Sequence, residues 1–313
     1  MKIISLLPSA TEIVYALGLG DHLSAVTHEC DYPPEAAQKP VITRSVLPHG
    51  LSSGEIDAAV RGQLDQSHSL YTIDPVLLAE IRPDLILTQQ LCDVCAVSYS
   101  DVMGAVRALP RPGPRVLNLE PTSLGDVLDT VRLVGLATDR RAEADAVLVG
   151  LRGRIEAVRE RALGARNRPR TVLLEWIDPL FGGGHWDPEL VQIAGGVDAV
   201  GTMHGPSTQV SWESIRAFAP EVLVVAQCGF CVERSAQDMP ALEALPGYAG
   251  LPAVRDGRVY IANGSDYFSR PGPRLVDSLE MLAALIHPDL FGPLQTSPAH
   301  VVQWKSPPSL ISP

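Results

Sequence analysis

Aromatic side chains make up only 5% of this 313-residue chain, and cations are in deficit, 25 Lys and Arg against 36 Asp and Glu, for a formal charge of −11. A protein that tracks phosphates needs a basic face to displace counterions, so this balance argues against nucleic acid and favours a small molecule or a protein as partner. Apolar runs of the length a bilayer demands, about eighteen residues, are missing as well. The opening Met1-Lys2-Ile3-Ile4-Ser5-Leu6-Leu7 gives way to Pro8, Ser9, Thr11 and Glu12 before the apolar stretch of a secretory leader is built. On that ground the protein is expected in the cytoplasm, and in the periplasm or outside the cell only if a leader has been removed. The chain also lacks an HExxH pair, an EF-hand loop, a P-loop and a Ser/His/Asp elbow, so no hydrolase or metalloprotease reading has support and no catalysis is expected.

What is present is loop chemistry and enough apolar material for two cores. Hydrophobic residues are 46% of the chain, while 27 Pro and 26 Gly imply many tight turns, where function concentrates. Short β-branched runs alternate with helical patterns from Lys2 to Leu119, as βαβ units do. Ser9 followed by Glu12 reads as a capping box opening the first helix, which sets Pro8 at the carboxyl end of a strand, the edge where open α/β sheets bind ligands. From Ser123 to about Leu163 the apolar period turns helical. The Thr138-Asp139 pair is expected to recap a second, long helix from about Arg140 to Leu163. The βαβ pattern restarts at Thr171 and ends with a helix from Pro273 to Ile286. The expected fold is therefore α/β, with two Rossmann-like lobes joined by a single long spine helix. Its parts are an N-terminal lobe over 1–122, connecting helices over 123–168, a C-terminal lobe over 169–291 and a flexible Pro- and Ser-rich tail over 292–313.

Three segments carry a resemblance to a known family: Ser5-Leu6-Leu7-Pro8-Ser9-Ala10-Thr11-Glu12, Arg82-Pro83-Asp84-Leu85-Ile86-Leu87 and Asp266-Tyr267-Phe268-Ser269-Arg270-Pro271-Gly272-Pro273-Arg274. With them the chain, over residues 1 to about 291, resembles the substrate-binding proteins for cobalamin and ferric siderophores that serve ABC transporters, its cobalamin-binding branch above all. The resemblance implies a non-catalytic protein that holds a corrinoid edge-on in a cleft between its lobes. By motif position the ligand would meet Pro8, Ser9, Tyr32 and Gln89 from the first lobe, and Trp176, Phe181, His185, Trp186, Phe230, Asp266, Tyr267, Phe268 and Arg270 from the second. A corrin is a large apolar plate fringed by amides, and aromatic walls with a few polar anchors suit it. Phe230 and Phe268 suit a core as well as a wall, whereas Trp186 and Tyr267 stand in polar or Gly-rich loops that point to the wall. Gly182-Gly183-Gly184 lets backbone approach a bulky ligand. Among the loop histidines His28, His49, His185 and His204, the one beside Trp186 is the best axial ligand for a metal centre. Glu175 with Asp178 is read as a loop-orienting carboxylate pair. The resemblance also implies docking on a permease through an exposed carboxylate on each lobe, for which Glu213 serves the second and Glu55 or Glu80 the first.

The five cysteines are unevenly placed: Cys30, then Cys92-Asp93-Val94-Cys95, then Cys228-Gly229-Phe230-Cys231. Random placement would give only about 0.06 CxxC spacings among five cysteines, so two are a signal. A CxxC turn aims two thiols at one point, which suits zinc or an edge of an iron-sulfur cluster. A second expectation is therefore a cytoplasmic metal or cluster protein using Cys30, Cys92, Cys95, Cys228 and Cys231. Reduced pocket thiols, or disulfides after export, are the alternatives. Neither CxxC is read as opening a helix, which disfavours thiol-disulfide chemistry.

Overall fold

The computed structural model describes residues 1–48, 50–65, 69–90, 97–109, 113–293 and 297–305. The chain divides into two compact units, the first formed by Met1–Pro121, Gly125–Leu151 and Pro271–Pro273, the second by Thr122–Leu124, Arg152–Arg270 and Arg274–Pro313.

In the first unit, β1 (Ile3–Ser5), β2 (Leu23–Ala25), β5 (Leu85–Thr88) and β6 (Arg115–Asn118) form an all-parallel sheet of order β2-β1-β5-β6. Parallel sheets are covered on both faces, and their inner strands therefore read as unbroken apolar runs instead of alternating ones. Ile3-Ile4-Ser5 and Leu85-Ile86-Leu87-Thr88 are buried at every position. The remaining strands, β3 (Thr43–Ser45) and β4 (Tyr71–Ile73), pair antiparallel as a separate ribbon. The helices are α1 (Pro8–Ala16), α2 (Ser53–Asp65), α3 (Pro75–Ile81), α4 (Tyr99–Arg107) and α5 (Leu124–Ala137). Ile4, Leu6, Ile42, Leu78, Ile86 and Val102 make the core against the sheet.

The capping box at Ser9 does not form. α1 begins at Pro8 with Leu7 as its N-cap and no side-chain cap, because proline at the first helical position sets φ and forfeits only an amide that has no partner there. Ser9 and Glu12 are instead buried in the first turns of the helix, 3% and 4% exposed. A real capping box opens α2, where Ser52 Oγ receives the Glu55 amide and Glu55 Oε2 receives the Ser52 amide at 2.8 Å. Thr138 does not recap the next helix either. Its hydroxyl donates back to the Val134 carbonyl at 2.7 Å, ending α5.

The long helix α6 runs Arg141–Ala162, and the boundary between the units falls inside it, at Leu151 and Arg152. One continuous helix thus carries the chain from the first α/β unit to the second, and the architecture is the expected pair of parallel-sheet lobes on a single long helix.

In the second unit, β7 (Thr171–Trp176), β8 (Phe181–Gly182), β9 (Val222–Val225), β10 (Val259–Ala262) and β11 (Val301–Gln303) form a sheet of order β11-β10-β9-β7-β8. The three central strands are parallel and the two edges antiparallel. Around it lie α7 (Asp187–Ile193), α8 (Trp212–Phe218), α9 (Val232–Glu243), α10 (Pro252–Arg255) and α11 (Leu275–Ile286). Val172, Leu174, Ile215, Leu223, Val225 and Met239 fill the core. Two ion pairs fasten α6 to α11, from Arg154 to Asp277 at 2.5 Å and to Glu280 at 2.6 Å. The expected flexible tail is corrected at Val301–Gln303. These residues pair with Ala262, Ile261 and Tyr260 as β11, and the Trp304 amide donates to the Val259 carbonyl, so backbone pairing orders a stretch whose side chains show no period.

Candidate functional site

β7, β9 and β10 are parallel neighbours, so the loops at their carboxyl ends leave one edge of the second sheet together. β7 ends in Trp176, β9 leads into Ala226 to Cys231, and β10 leads into Asn263 and the π-helical turn Gly264–Phe268. Backbone bonds stitch the three loops side by side: the Cys228 amide donates to the Glu175 carbonyl at 3.0 Å, and the Ser265 amide to the Phe230 carbonyl at 3.2 Å. On this edge Trp176 and Phe230 are both half-buried, with ring centroids 4.9 Å apart and tilted by 45°. The Arg234 guanidinium lies 4.2 Å from the Phe230 ring centre and is held by Asp238 at 3.0 Å, which also receives the Gln227 amide at 2.9 Å. Arg234 stands one turn beyond Phe230, at the head of α9, a spacing that could have singled it out in the sequence. The result is a tilted aromatic wall backed by a fixed cation.

Beside the wall lies a group of carboxyls. Asp187 opens α7 and is 2% exposed, and burial pushes its carboxyl well above the usual range, helped by Glu175. The two share a hydrogen bond, and Glu175 Oε1 accepts the Gly184 amide at 2.6 Å. Asp187, not Asp178, is thus the partner of Glu175, because the β7–β8 hairpin brings Gly183 and Gly184 back against the end of β7. Any Cβ on Gly184 would collide with the Ser207 backbone. Asp198 is also raised by burial, although it accepts the Val200 and Gly201 amides at 2.7 and 2.9 Å. His185 is half-buried with φ of +50°, its ring stacked on Trp186 at 5.4 Å, and burial lowers its pKa against the opposing pull of Glu175. Burial thus favours the neutral imidazole, the form that can ligate a metal.

Several expected wall residues are interior. Trp186 is 6% exposed and its indole N–H donates to the Phe268 carbonyl at 2.9 Å, which makes it a strut between loops despite its Gly-rich setting. Phe268 is 2% and Tyr267 9% exposed. Tyr267 sits between His300, at 5.1 Å, and the Arg274 guanidinium, at 5.4 Å. Arg270 is buried near Asp266, 3.9 Å away, and Asp266 accepts from the Asn263 side-chain amide at 2.9 Å. Phe181 is half-buried in β8, opposite Trp176.

In the first unit the named residues again follow the carboxyl ends of parallel strands: Pro8 and Ser9 after β1, Tyr32 after β2 and Gln89 after β5. Tyr32 is exposed and Gln89 buried. Of the other histidines, His28 Nδ1 lies 2.8 Å from the Thr43 hydroxyl and His204 lies 3.4 Å from Glu189. His49 is outside the described residues.

Among the described residues the cysteines take part in no metal-holding group. Cys30 is buried in the first unit with its sulfur 3.1 Å from the Thr11 hydroxyl and 3.2 Å from that of Thr27, so it serves as a packing group between α1 and the loop after β2. Cys228 and Cys231 belong to the second unit, and Cys92 and Cys95 fall outside the described residues. No group of three or more His, Cys, Asp or Glu able to hold a metal ion occurs among the described residues. One expectation about the thiols is reversed: Cys231 is the N-cap of α9, so this CxxC does lead directly into a helix.

A profile for periplasmic binding proteins matches residues 3–265. The chain belongs to that family. A periplasmic binding protein of this kind carries a ligand and performs no reaction on it, and this member is a substrate-binding protein, not an enzyme. It is 24% identical over 298 residues to the ABC transporter substrate-binding lipoprotein YvrC of Bacillus subtilis, covering 93% of this chain and 81% of that one. It is 25% identical over 288 residues to the vitamin B12-binding protein of Vibrio cholerae, covering 91% and 88%. Among solved structures, a periplasmic heme binding protein from Pseudomonas aeruginosa superposes with a TM-score of 0.71 at 20% identity, covering 95% and 96%. The cytoplasmic expectation is overturned by this membership. Ile3 to Ser5 are the buried strand β1, and their hydrophobicity reports the sheet core and not the compartment. The iron-sulfur expectation finds no support among the described residues.

Proposed function

We propose that this periplasmic binding protein receives a corrinoid, a cobalamin-like ligand, and passes it to an ABC permease. The observation that carries the reading is the half-buried Trp176–Phe230 wall with Arg234 behind it, at the carboxyl edge of a parallel sheet. Aromatic faces favour a large apolar ring such as a corrin. His185, whose neutral form burial favours, is the residue to coordinate the metal centre. The vitamin B12-binding relative supports the ligand class, and the ABC lipoprotein relative supports the permease. Exposed Glu213 on α8 and Glu80 on α3 are the carboxylates we assign to permease docking. Glu55 is exposed too, but its carboxylate already caps α2.

The test is calorimetric titration of the purified protein with cyanocobalamin, cobinamide and haemin. Saturable binding of the corrinoids with a shifted cobalt-corrin absorption band is expected. Binding of haemin alone, or flat titrations with both corrinoids, overturns the reading.

A further inference from the structure

We infer that Cys228 and Cys231 form a redox couple, a disulfide that closes across the Phe230 turn; the inference does not depend on which ligand the protein carries. The backbone between the two thiols is a fixed turn. Gly229 takes φ of +74° and the Phe230 amide donates to the Gln227 carbonyl at 3.0 Å, reversing the chain. Each end is pinned, since the Cys228 amide is bound to the Glu175 carbonyl and the Cys231 carbonyl accepts the Ser235 amide, both at 3.0 Å. With the main chain pinned at both ends of a three-residue step, closing so short a loop costs little entropy. Both are free thiols, Cys231 exposed and Cys228 half-buried. Cys30 differs, being buried against two threonine hydroxyls. The family's periplasmic setting is oxidising, where such pairs close.

The chemistry is thiol-disulfide exchange with a small disulfide such as oxidised glutathione. The exposed Cys231, as thiolate, attacks one sulfur of the reagent, forming a mixed disulfide and releasing one glutathione thiolate. The Cys228 thiolate then attacks the Cys231 sulfur and expels the second. Two protein thiols are oxidised, their two protons go to solvent or to the released thiolates, and one glutathione disulfide is reduced to two thiols. The ring so formed contains Phe230, so oxidation would fix the residue that faces Trp176 and Arg234.

Both cysteines lie in one tryptic peptide, Ala217 to Arg234, bounded by Arg216 and Arg234. The folded full-length protein is incubated with oxidised glutathione, alkylated, digested and weighed. The expected product is that peptide two hydrogens lighter and unalkylated, with the loss reversed by dithiothreitol. In Cys228→Ser, Cys231 should instead retain a glutathione adduct, because the resolving thiol is gone. A fully alkylated peptide, stable adducts on both cysteines of the wild type, or linkage to a peptide holding Cys30, Cys92 or Cys95 overturns the proposal. Cys231 is exposed, so Cys231→Ser leaves the fold intact and must abolish the mass loss.

Discussion

Asp187 is the residue whose environment departs furthest from its sequence. Buried beside Glu175, its carboxyl is held well above the ordinary range, and the sign of its effect on stability follows from that. Its ordinary pKa is 3.8 and the folded one lies well above, so between those limits the folded protein binds a proton that the unfolded chain has released. The neutral, hydrogen-bonded Asp187 therefore stabilises the fold fully below pH 3.8, and the contribution is lost as pH rises through the folded pKa. Asp187→Asn keeps a donor toward Glu175 and has no proton to lose. Its melting temperature should fall less steeply with pH above about 4 than that of the wild type, as thermal melts across a pH series will read; parallel curves would refute the assignment. At the same scale, Trp176→Ala removes one face of the aromatic pair, which is worth about 0.5–1.5 kcal/mol beyond its buried area. Corrinoid affinity should weaken by about threefold or more, as measured by calorimetry, and the lost contact with Phe230 should lower the melting temperature by a few degrees. That Trp176 and Phe230 lie just after strands was legible in the sequence, whereas the meeting of their rings was not. The Glu175–Asp187 pair was not legible. Asp178 is nearer in sequence, and only the return of the β7–β8 hairpin brings Asp187 to Glu175.

Elements were readable where burial on both faces left an unbroken apolar run, as in Leu85–Thr88 and Val222–Val225, or where a helical period persisted, as in Arg141–Ala162. Thr43–Ser45 and Val301–Gln303 were not, because three residues of mixed polarity carry no period and their order comes from pairing with a distant partner. Two substitutions probe how elements hold the site. Gly184 lies where the hairpin passes against the Ser207 backbone, which has no side chain to swing aside. Gly184→Ala should lower the melting temperature markedly, by about 2 kcal/mol or more of stability in a denaturant titration, since overpacking against backbone is hard to relieve. Arg154 joins α6 to α11 through Asp277 and Glu280, but it is 39% exposed and its partners 37% and 43%, so solvent screens much of the attraction. Arg154→Met should cost only about 1 kcal/mol, and the difference from wild type should shrink in high salt. A loss several times larger would mean that packing of the arginine stem, and not charge, fastens the helices.

For the molecule as a whole, composition excluded more than it assigned. A charge of −11 and scarce aromatics turn away nucleic acid, yet they do not choose among metal-centred macrocycles, and relatives near 25% identity support a ligand class more than a ligand. Compartment was the least legible property, because it follows from family membership and from no composition or period in the chain. What a whole-molecule measurement can decide is whether the folded state is the one that binds. A ligand held only by the native protein stabilises it by RT ln(1 + [L]/Kd), about 2.7 kcal/mol at a hundredfold excess over Kd. Cyanocobalamin at that excess should therefore raise the melting temperature by several degrees, and the rise should keep growing with the logarithm of ligand concentration after the site is saturated. The doubly truncated Trp176→Ala, Phe230→Ala protein should need a higher concentration to reach the same shift, by the factor that calorimetry gives for its Kd. If cyanocobalamin raises the melting point of both proteins equally at every concentration, the ligand is meeting the fold elsewhere and the aromatic wall is not its seat.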